Sequence, residues 1–542
     1  MKTMDQVSAD KLRGGFYSPP ALVAVCLERL QDLLPAGSDR LRLLEPSAGD
    51  GAFIRGLEAH PLRGRVGSLA AVELVPSEAQ RCSQAGDAAS FPVVVRQGSF
   101  LDPDLVPEED YDGAIGNPPF VRFQFVSDLE RSYADRVAMQ MGVPLRGVSN
   151  LWIPILLCAL NKLREGGVFA FIIPAECLTG ISASVVRKWI LTNCVDARID
   201  LFAPGSFPGV LQEVVVLSGR KKRQSGDSLL TVRECDGVER IWKHVISPES
   251  PTWTRYLLTP SQLEALQEIS LLPLAKEVGS YVRFSVATVT GANEYFSVDS
   301  STVEQYGLQQ WVVPLLPRIR HANGLVFSKC DHQVLAEGGI RAGLLDFSLN
   351  GDPKSHPSAA QYIAKGENDS LHTRYKCRIR KPWYCVPVVR PGDLLLSKRS
   401  HHYPRVVVNE AEAITTDTIY QGRMLEGHQN MRDAFAASFH NSFTLLTAEI
   451  EGRSFGGGVL ELVPSEVARL LVIVPDSMGD ELMKLDAIAR SGVADVDEVL
   501  IRETDRRLAK SMPGLSDSTL NSLAEARLEL QKRRLDRSRA SV

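Results

Sequence analysis

The sequence predicts an α/β fold with a mostly parallel sheet in its first half. Between about residues 14 and 220, short apolar runs alternate with helix-length amphipathic segments, such as Ala21–Leu34 and Leu151–Leu163. Parallel strands are buried on both faces and are joined by crossover helices, which produces this alternation. Seven runs are predicted as strands: Leu41–Leu44, Leu69–Val75, Val93–Val95, Gly113–Ile115, Val168–Ile173, Ala197–Leu201 and Val214–Leu217.

The second half of the sequence has a different pattern of apolar residues. From about 270 to 470, short β-type runs are separated by Gly, Pro and Asn clusters, which indicates a β-rich domain with long loops. These runs are Tyr281–Val289, Trp311–Leu315, Asp393–Leu396 and Arg405–Val408. After Pro475 the chain becomes helical and charged. We predict a first domain over 1–235, a linker over 236–270, the β-rich domain over 271–470 and a helical region over 471–542. Residues 121–148 lack a core pattern and are predicted as a mobile loop.

Composition restricts the class of protein. The chain has 542 residues, of which 44% are hydrophobic and 23% charged, as in globular proteins of two to four domains. No run reaches the length of a membrane span, and the N-terminus lacks the apolar core of a signal peptide. The nine cysteines form no CxxC pair, which favours reduced thiols in the cytoplasm and disfavours a zinc site. We therefore expect no metal and no membrane partner.

A glycine turn follows the first predicted strand. Leu43–Phe53 runs from a strand through Glu45, Ser47, Ala48, Gly49, Asp50 and Gly51 into a helix. Glycines there let the backbone approach a ligand closely. Ile54 occupies the place of the third glycine in a dinucleotide fingerprint, which disfavours a nicotinamide dehydrogenase. The acids Glu45 and Asp50 would repel a pyrophosphate, but they suit a cofactor with a cationic amino acid and no phosphates.

The ends of the next two strands carry polar groups. Glu73, followed by Leu74, ends the second strand, where an acid is placed to bind ribose hydroxyls. Ser99, Phe100 and Asp102 follow the third strand and can contact an adenine edge and ring. Before the first strand, the segment Phe16–Pro20, with Tyr17, Ser18 and Pro19, precedes a helix, where proline fits the first turn.

Asn117-Pro118-Pro119-Phe120 follows the fourth strand and is the most informative motif. Two prolines stiffen the loop and remove two backbone donors. Asn117 offers an amide oxygen beside prolyl carbonyls, and Phe120 offers a flat apolar face. Such a site is suited to a planar ring with an exocyclic amino group, for example adenine.

A basic and aromatic stretch lies in the β-rich half. Between Leu371 and Arg405 there are nine basic residues and one acid, with Tyr375, Trp383, Tyr384 and Tyr403 among them. Positive charge with flat side chains is expected for a nucleic-acid surface. The candidate contacts are Arg374, Lys376, Arg378, Arg380, Lys398 and Arg399.

In this order, the motifs resemble those of the class I S-adenosylmethionine-dependent methyltransferases, and more narrowly the gamma-type N6-adenine DNA methyltransferases such as the TaqI and Eco57I-like modification enzymes. FYSPP, LEPSAGDGAF and NPPF match the family's cofactor and catalytic motifs. The segment Ser206–Leu211 resembles a later one whose aromatic residue, here Phe207, packs on the flipped base. The third cofactor motif departs from the family, because it reads Gly-Ser-Phe with Ser99 where Asp is common. Either Ser99 or Asp102 is then expected to contact the cofactor adenine.

The resemblance implies a Rossmann-like sheet of seven strands and S-adenosylmethionine as cofactor. It implies a site-specific, adenine-specific methyltransferase that binds double-stranded DNA as a monomer in the bacterial cytoplasm, associated with the nucleoid. The family motifs begin near residue 14, so we expect a modification enzyme without a nuclease domain, either solitary or with a cognate endonuclease as a separate chain. Three alternatives stay open: methylation of RNA adenine, methylation of a protein glutamine, and a non-catalytic DNA-binding subunit.

Overall fold

The computed structural model describes residues 18–37, 40–107, 109–142, 150–180, 182–203, 214–222, 228–236, 238–246, 252–455, 458–512 and 514–539. The chain forms two compact units. The first comprises residues 1–260 with 539–542, and the second comprises residues 261–538.

The first unit is built on one large sheet. Its described strands lie in the order β3-β2-β1-β4-β5-β7-β6-β8-β9. Their bounds are β1 Leu41–Glu45, β2 Val66–Glu73, β3 Val93–Gln97, β4 Tyr111–Gly116, β5 Leu163–Pro174, β6 Cys194–Phe202, β7 Val214–Lys221, β8 Leu229–Asp236 and β9 Val238–Val245. Pairing is parallel except that β7 is antiparallel to β5 and β6, and β9 to β8. All seven predicted strands are confirmed.

The predicted count of seven strands was too low, because β8 and β9 extend the sheet beyond β6. In β8, Leu230 and Val232 are fully buried and Thr231 is 6% exposed, whereas Leu229 is 41% exposed. Thr231 and Arg233 interrupt the apolar residues of β8, so this strand lacks the continuous apolar run that marked the central strands. β5, by contrast, is buried without interruption from Gly166 to Pro174, as expected for a strand with neighbours on both sides.

Helices cover the sheet. The described helices of this unit are α1 Pro20–Leu33, α2 Ala52–Ala59, α3 Pro76–Asp87, α4 Asp128–Met141, α5 Trp152–Asn161, α6 Glu176–Thr179 and α7 Ser184–Asn193. The apolar sides of α1 and α2 share one core with strand residues such as Leu43 and Val168. This core supports the turn between β1 and α2.

The prediction of a mobile loop over 121–148 was wrong for its central part, which is α4. The Ser127 side chain caps the helix by accepting a hydrogen bond from the Glu130 N–H, and Gly142 ends it with φ +63°. Only Ala134, Val137 and Ala138 are buried along its 14 residues. So thin an apolar stripe gives a weak helical period in the sequence.

The second unit combines small sheets with helices, which confirms the β-rich region. Its sheets have the orders β11-β19-β16-β18-β14, β12-β15-β13, β17-β21-β20 and β10-β22. The strands are β10 Ala275–Glu277, β11 Val282–Ser285, β12 Ser297–Val298, β13 Val312–Pro314, β14 Val326–Phe327, β15 Gly343–Leu345, β16 Leu394–Ser397, β17 Arg399–Ser400, β18 Val406–Asn409, β19 Ile419–Met424, β20 Arg453–Phe455, β21 Val459–Glu461 and β22 Leu471–Ile473. Each of the four predicted β-type runs overlaps one of these strands, and β16 and β18 each end one residue beyond the predicted run.

Helices are more numerous here than the sequence indicated. They are α8 Pro260–Ser270, α9 Asn293–Phe296, α10 Ser300–Gln305, α11 Lys329–Glu337, α12 Pro357–Asn368, α13 Tyr375–Arg378, α14 Arg432–Phe439, α15 Ser442–Glu451, α16 Pro464–Arg469, α17 Leu482–Ala489, α18 Val496–Ser511 and α19 Asp517–Arg539. The last three confirm the helical C-terminal region. The segment 236–270, predicted as a linker, holds β9 and α8. None of the helices in the described part of the chain has the length and apolar character needed to cross a membrane.

Candidate active site

The predicted motifs of the first unit meet at the carboxyl ends of β1, β2 and β4. The strand order reverses between β1 and β4, which are neighbours with Leu43 opposite Gly113 and Leu44 opposite Ala114. In open α/β sheets, ligands bind in the crevice at such a reversal. The turn after Glu45 and the loop that begins at Asn117 border this crevice.

Glu73 holds the glycine turn from the neighbouring strand. Its Oε2 accepts a hydrogen bond from the Gly49 N–H and its Oε1 one from the Val75 N–H, both at 2.8 Å. The Ala48 N–H donates to the Val72 carbonyl at 2.8 Å. Each carboxylate oxygen of Glu73 retains a second lone pair for a ligand. Leu74, next to it, is 50% exposed and offers an apolar contact.

The two glycines of the turn have different surroundings. Gly49 has φ +55°, and a Cβ built on it would meet no described atom within 4 Å, so its backbone is open to an approaching ligand. Gly51 has φ +84°, and a Cβ there would lie 2.8 Å from the Ala85 Cβ. Both positions need the left-handed conformation that glycine adopts at low cost.

Glu45 lies beneath this turn and is fully buried. Neither of its side-chain oxygens has a hydrogen-bond partner among the described residues. Burial raises the pKa of the Glu45 carboxyl well above its usual value, and the nearby charges of Glu73 and Asp50 raise it further. A buried carboxyl group with unmet hydrogen-bonding capacity fits a cationic ligand group.

The acidic residues at the turn also affect a neighbouring thiol. Burial raises the pKa of the Cys82 thiol to about 12, with further contributions from Glu45, Glu73 and Asp50. Asp50 itself is paired with Arg55, whose Nη2 donates to Asp50 Oδ2 at 2.7 Å. Asp50 thus has a partner already, whereas the described residues leave Glu45 without one.

Asn117 connects three of the sequence motifs. Its Nδ2 donates a hydrogen bond to the Ser18 Oγ at 3.2 Å, and its backbone carbonyl accepts one from the Ser47 Oγ at 3.2 Å. No described residue donates to Asn117 Oδ1. Pro118 is buried, whereas Pro119 and Phe120 are half-buried. Phe120 packs against the core that supports α1 and α2.

The polar residues after β3 have two different settings: Ser99 lies at the crevice, and Asp102 contacts α4. The Gly98 N–H donates to the Glu73 carbonyl at 2.9 Å, which places Ser99 beside Glu73. The Asp102 carboxylate accepts from the Asp104 N–H at 3.1 Å and from the Tyr133 hydroxyl at 3.3 Å, so it joins this turn to α4. Phe100 is 4% exposed and belongs mainly to the core.

Two predicted site residues, Tyr17 and Phe207, lie outside the described residues. No group of three or more His, Cys, Asp or Glu side chains in the described ranges could hold a metal ion.

The predicted nucleic-acid contacts fall into two groups within the second unit. Arg374, Lys376 and Arg378 are exposed on or beside α13. Arg380 instead donates to the backbone carbonyls of Thr290 at 2.6 Å and Val289 at 2.5 Å, so its guanidinium braces the structure.

Lys398 and Arg399 belong to a different place, which we call the basic cleft. This cleft of about 630 Å³ is lined by Arg318, Ile319, Arg320, Ser397, Lys398, Arg399, Ser400, His401, His402, Tyr403, Arg405, Asp417, Thr418 and Asp497. The sequence reasoning missed Arg318 and Arg320. The basic run Arg318-Ile319-Arg320-His321 was the available signal, but it lies about 50 residues before the basic and aromatic stretch Leu371–Arg405.

Comparison with known proteins gives consistent matches. Residues 250–508 match the family model "Type II methyltransferase M.Eco57I, C-terminal domain", and residues 84–206 match "Eco57I restriction-modification methylase". The Type II methyltransferase M.AccI of Acinetobacter calcoaceticus is 20% identical over 475 residues, which cover 83% of this chain and 85% of the relative. M.HincII of Haemophilus influenzae is 25% identical over 205 residues, covering 38% of this chain and 36% of the relative.

A solved structure shares the fold. The Type IIL restriction-modification enzyme MmeI, solved in complex with DNA, has a TM-score of 0.50 and 12% identity, with 96% of this chain and 72% of that chain covered. The two family models together span most of the chain, and S-adenosylmethionine is the cofactor of their class. The buried Glu45 carboxyl, the Glu73 carboxylate and the open backbone at Gly49 fit this cofactor. The chain therefore belongs to the class I S-adenosylmethionine-dependent methyltransferases, in the restriction-modification family that the Eco57I models describe.

Proposed function

We propose that this chain methylates the exocyclic N6 amino group of adenine at specific sites in double-stranded DNA. The observation that carries the proposal is the setting of Asn117. Its amide nitrogen donates to Ser18, so its carbonyl oxygen is the group presented to a ligand. The proposed arrangement is gamma-type, with catalysis in residues 1–235 and target recognition in residues 271–470.

The adenine N6 is a poor nucleophile because its lone pair is delocalised into the ring. Asn117 Oδ1 and the Pro118 carbonyl each accept one N6 hydrogen, which draws the nitrogen toward tetrahedral geometry and localises the lone pair. S-adenosylmethionine would supply a methyl group on a cationic sulfonium. As the bond from N6 to the methyl group forms, the sulfur–methyl bond breaks, and the methylated nitrogen releases one proton to water. A neutral amide suits this site, because a carboxylate would pair with that cation. The work is positioning and stabilisation of developing charge.

The remaining site residues have proposed binding roles. Glu73 accepts the ribose hydroxyls, and Glu45 accepts from the cofactor's cationic amino group. Leu74 packs against the cofactor's adenine, and Ser99 donates to or accepts from that adenine's edge. The contact is assigned to Ser99 because the Gly98–Glu73 hydrogen bond places it beside the proposed ribose ligand, whereas Asp102 joins its turn to α4 through Tyr133.

An amino group inside a duplex is out of reach of this crevice, so the target base has to leave the stack. Phe120 provides a half-buried ring for the flipped base, and Phe207 is the proposed second ring. Stacking of this kind contributes about 1–3 kcal/mol per base.

The test is Asn117→Ala, assayed with duplex DNA and labelled cofactor. We expect methyl transfer to fall by at least about 100-fold, as for loss of one group that stabilises a transition state. Cofactor affinity, measured by calorimetry, should stay near the wild-type value because Asn117 holds the acceptor base. Methylation at the wild-type rate would refute the assignment.

The product distinguishes the alternatives. Digestion of methylated DNA to nucleosides should give N6-methyl-2′-deoxyadenosine. Detection of methylated cytosine would show that cytosine is the target base. Transfer only to RNA or to a protein glutamine would show that DNA is not the substrate. A chain that binds duplex DNA but no cofactor would be a non-catalytic subunit.

A further inference from the structure

The basic cleft carries an excess of positive charge. Five arginine and lysine side chains line it against two carboxylates, Asp417 and Asp497. Arg318 and Arg320 are exposed and form no hydrogen bond or ion pair with a described residue. Their charges are available to an anionic partner.

Two further cations of the cleft, Lys398 and Arg399, are paired with one buried carboxylate. Arg399 Nε lies 3.0 Å and Lys398 Nζ 3.6 Å from the same oxygen, Oε1, of Glu461. One carboxylate therefore faces two cations, which leaves one positive charge in excess. Because the Glu461 side chain is only 8% exposed, it orients these cations from inside the protein.

The segment Ser400–Tyr403, which we call the cleft loop, is anchored by the C-terminal helices. Tyr403 is largely buried, and its hydroxyl donates to Asp497 Oδ1 of α18 at 2.8 Å. This bond also occupies one of the two carboxylates of the cleft.

The last helix, α19, holds the main chain of the same loop. Gln531 Nε2 donates to the His402 carbonyl at 2.8 Å. Arg534 donates to the His401 carbonyl at 2.8 Å and to the His402 carbonyl at 3.0 Å. The Arg534 guanidinium is itself fixed by two bonds to Glu449, at 2.9 and 2.7 Å.

We infer that α18 and α19 are positioning elements for substrate binding, which hold the cleft loop so that the basic cleft binds the phosphate backbone of duplex DNA. This inference rests on the proposed function. Phosphates repeat at a fixed spacing along a duplex, so a cleft whose loop is held in place binds them at a lower entropic cost than a cleft with a loose loop. Gln531, Arg534 and Tyr403 act through the loop and are positioning residues.

The first experiment tests the cleft as the phosphate-binding surface. In the full-length protein, Arg318→Ala combined with Arg320→Ala is compared with a charge-matched pair, Arg283→Ala with Arg502→Ala, at exposed positions outside the cleft. Fluorescence anisotropy with a random-sequence duplex is recorded over a range of salt concentrations. The cleft pair should weaken binding at least about tenfold and reduce the slope of log K against log salt by about 2. Equal effects of the two pairs would overturn the inference.

The second experiment tests the positioning role. Gln531→Ala and Tyr403→Phe should each weaken duplex binding about fivefold, as expected for loss of one hydrogen bond. Lys532→Ala, at the exposed neighbouring position of α19, should leave it unchanged. The urea midpoint and cofactor affinity are measured in parallel. Two results would overturn the inference. In the first, a variant loses duplex affinity only when its urea midpoint also falls, which would make the contact a structural one. In the second, duplex affinity does not fall at all.

The outcomes separate this inference from the proposed function. Wild-type protein that binds the duplex through the cleft without methylating it would refute the proposed function alone. Wild-type protein that methylates DNA while the cleft pair binds normally would refute the inference alone. Stronger binding of an RNA hairpin than of the duplex would overturn the choice of partner.

Discussion

The Nδ2 group of Asn117 donates a hydrogen bond to the Ser18 hydroxyl at 3.2 Å. These residues are 99 positions apart in the chain. The bond fixes which end of the Asn117 amide faces the crevice, because the nitrogen is occupied and the oxygen is not. Ser18, predicted as a cofactor contact, thereby also becomes a candidate orienting group for the catalytic amide.

Ser18→Ala should therefore lower kcat by about fivefold, since an orienting hydrogen bond contributes about 1 kcal/mol. Ser18→Thr, which keeps the hydroxyl, should retain most of the rate. Steady-state methylation kinetics give kcat, and calorimetry gives cofactor affinity. A fall in cofactor affinity with unchanged kcat would show that Ser18 serves only the cofactor.

Glu45→Gln should change cofactor binding and stability in opposite directions. Removing the charge should weaken S-adenosylmethionine binding by about 1.5–3 kcal/mol, the range for a hydrogen bond to a charged group. The cofactor-free protein should become more resistant to urea at alkaline pH. Its carboxyl pKa is raised by burial, so the stability that it confers is lost as pH rises through that pKa.

Calorimetry and urea unfolding at two pH values measure these effects. Asp50→Asn is the comparison, because Asp50 has Arg55 as a partner. An Asp50→Asn variant that loses more cofactor affinity than Glu45→Gln would contradict the assignment of Glu45 as the main cationic contact.

Alanine substitutions at Gly49 and Gly51 should affect stability and cofactor binding to different extents. Each substitution forces a left-handed backbone on a residue with a Cβ, which costs about 1–2 kcal/mol. Gly51→Ala should destabilise the protein more than Gly49→Ala, because its Cβ would also lie 2.8 Å from the Ala85 Cβ. Gly49→Ala should have the larger effect on cofactor binding, since its Cβ points into open space at the crevice. Urea unfolding and calorimetry on both variants check this order.

His440 should make the stability of the protein depend on pH. It is fully buried and accepts a hydrogen bond from the Val406 N–H at 3.2 Å. Burial lowers its pKa from 6.5 to about 3, so in the folded state it stays neutral while the unfolded chain takes up a proton. Its contribution is complete above pH 6.5 and is lost as pH falls toward 3.

The measurement compares wild type with His440→Gln by urea unfolding across this range. The unfolding free energy of wild type relative to the variant should fall by about 1.4 kcal/mol for each pH unit. The comparison is needed because Asp505 acts in the opposite direction. Burial raises its pKa to about 6, so its folded form takes up the proton first. A difference that does not vary with pH would show that His440 is not neutral in the folded state.

Local signals predicted most of the first unit. Its central strands are buried on both faces, and this burial appears in the sequence as continuous apolar runs, such as that of β5. β8 was missed because the polar residues Thr231 and Arg233 interrupt its apolar residues. In the second unit, α15 was missed because it is buried on all sides, with every residue from Ser442 to Ile450 buried, so no helical period is visible.

The sequence by itself determined the motifs at the strand ends, because turns, prolines and strand-terminal acids are local features. Only the tertiary structure decided what those residues touch. It brought Ser18, Ser47 and Asn117 together, paired Asp50 with Arg55, and left Glu45 buried without a described partner. It also turned Arg380 toward backbone carbonyls and gathered Arg318 and Arg320 with Lys398 and Arg399 in one cleft. The number of charged residues can be read from the sequence. Whether a charged side chain forms a hydrogen bond or an ion pair depends on residues that come close to it only when the chain folds.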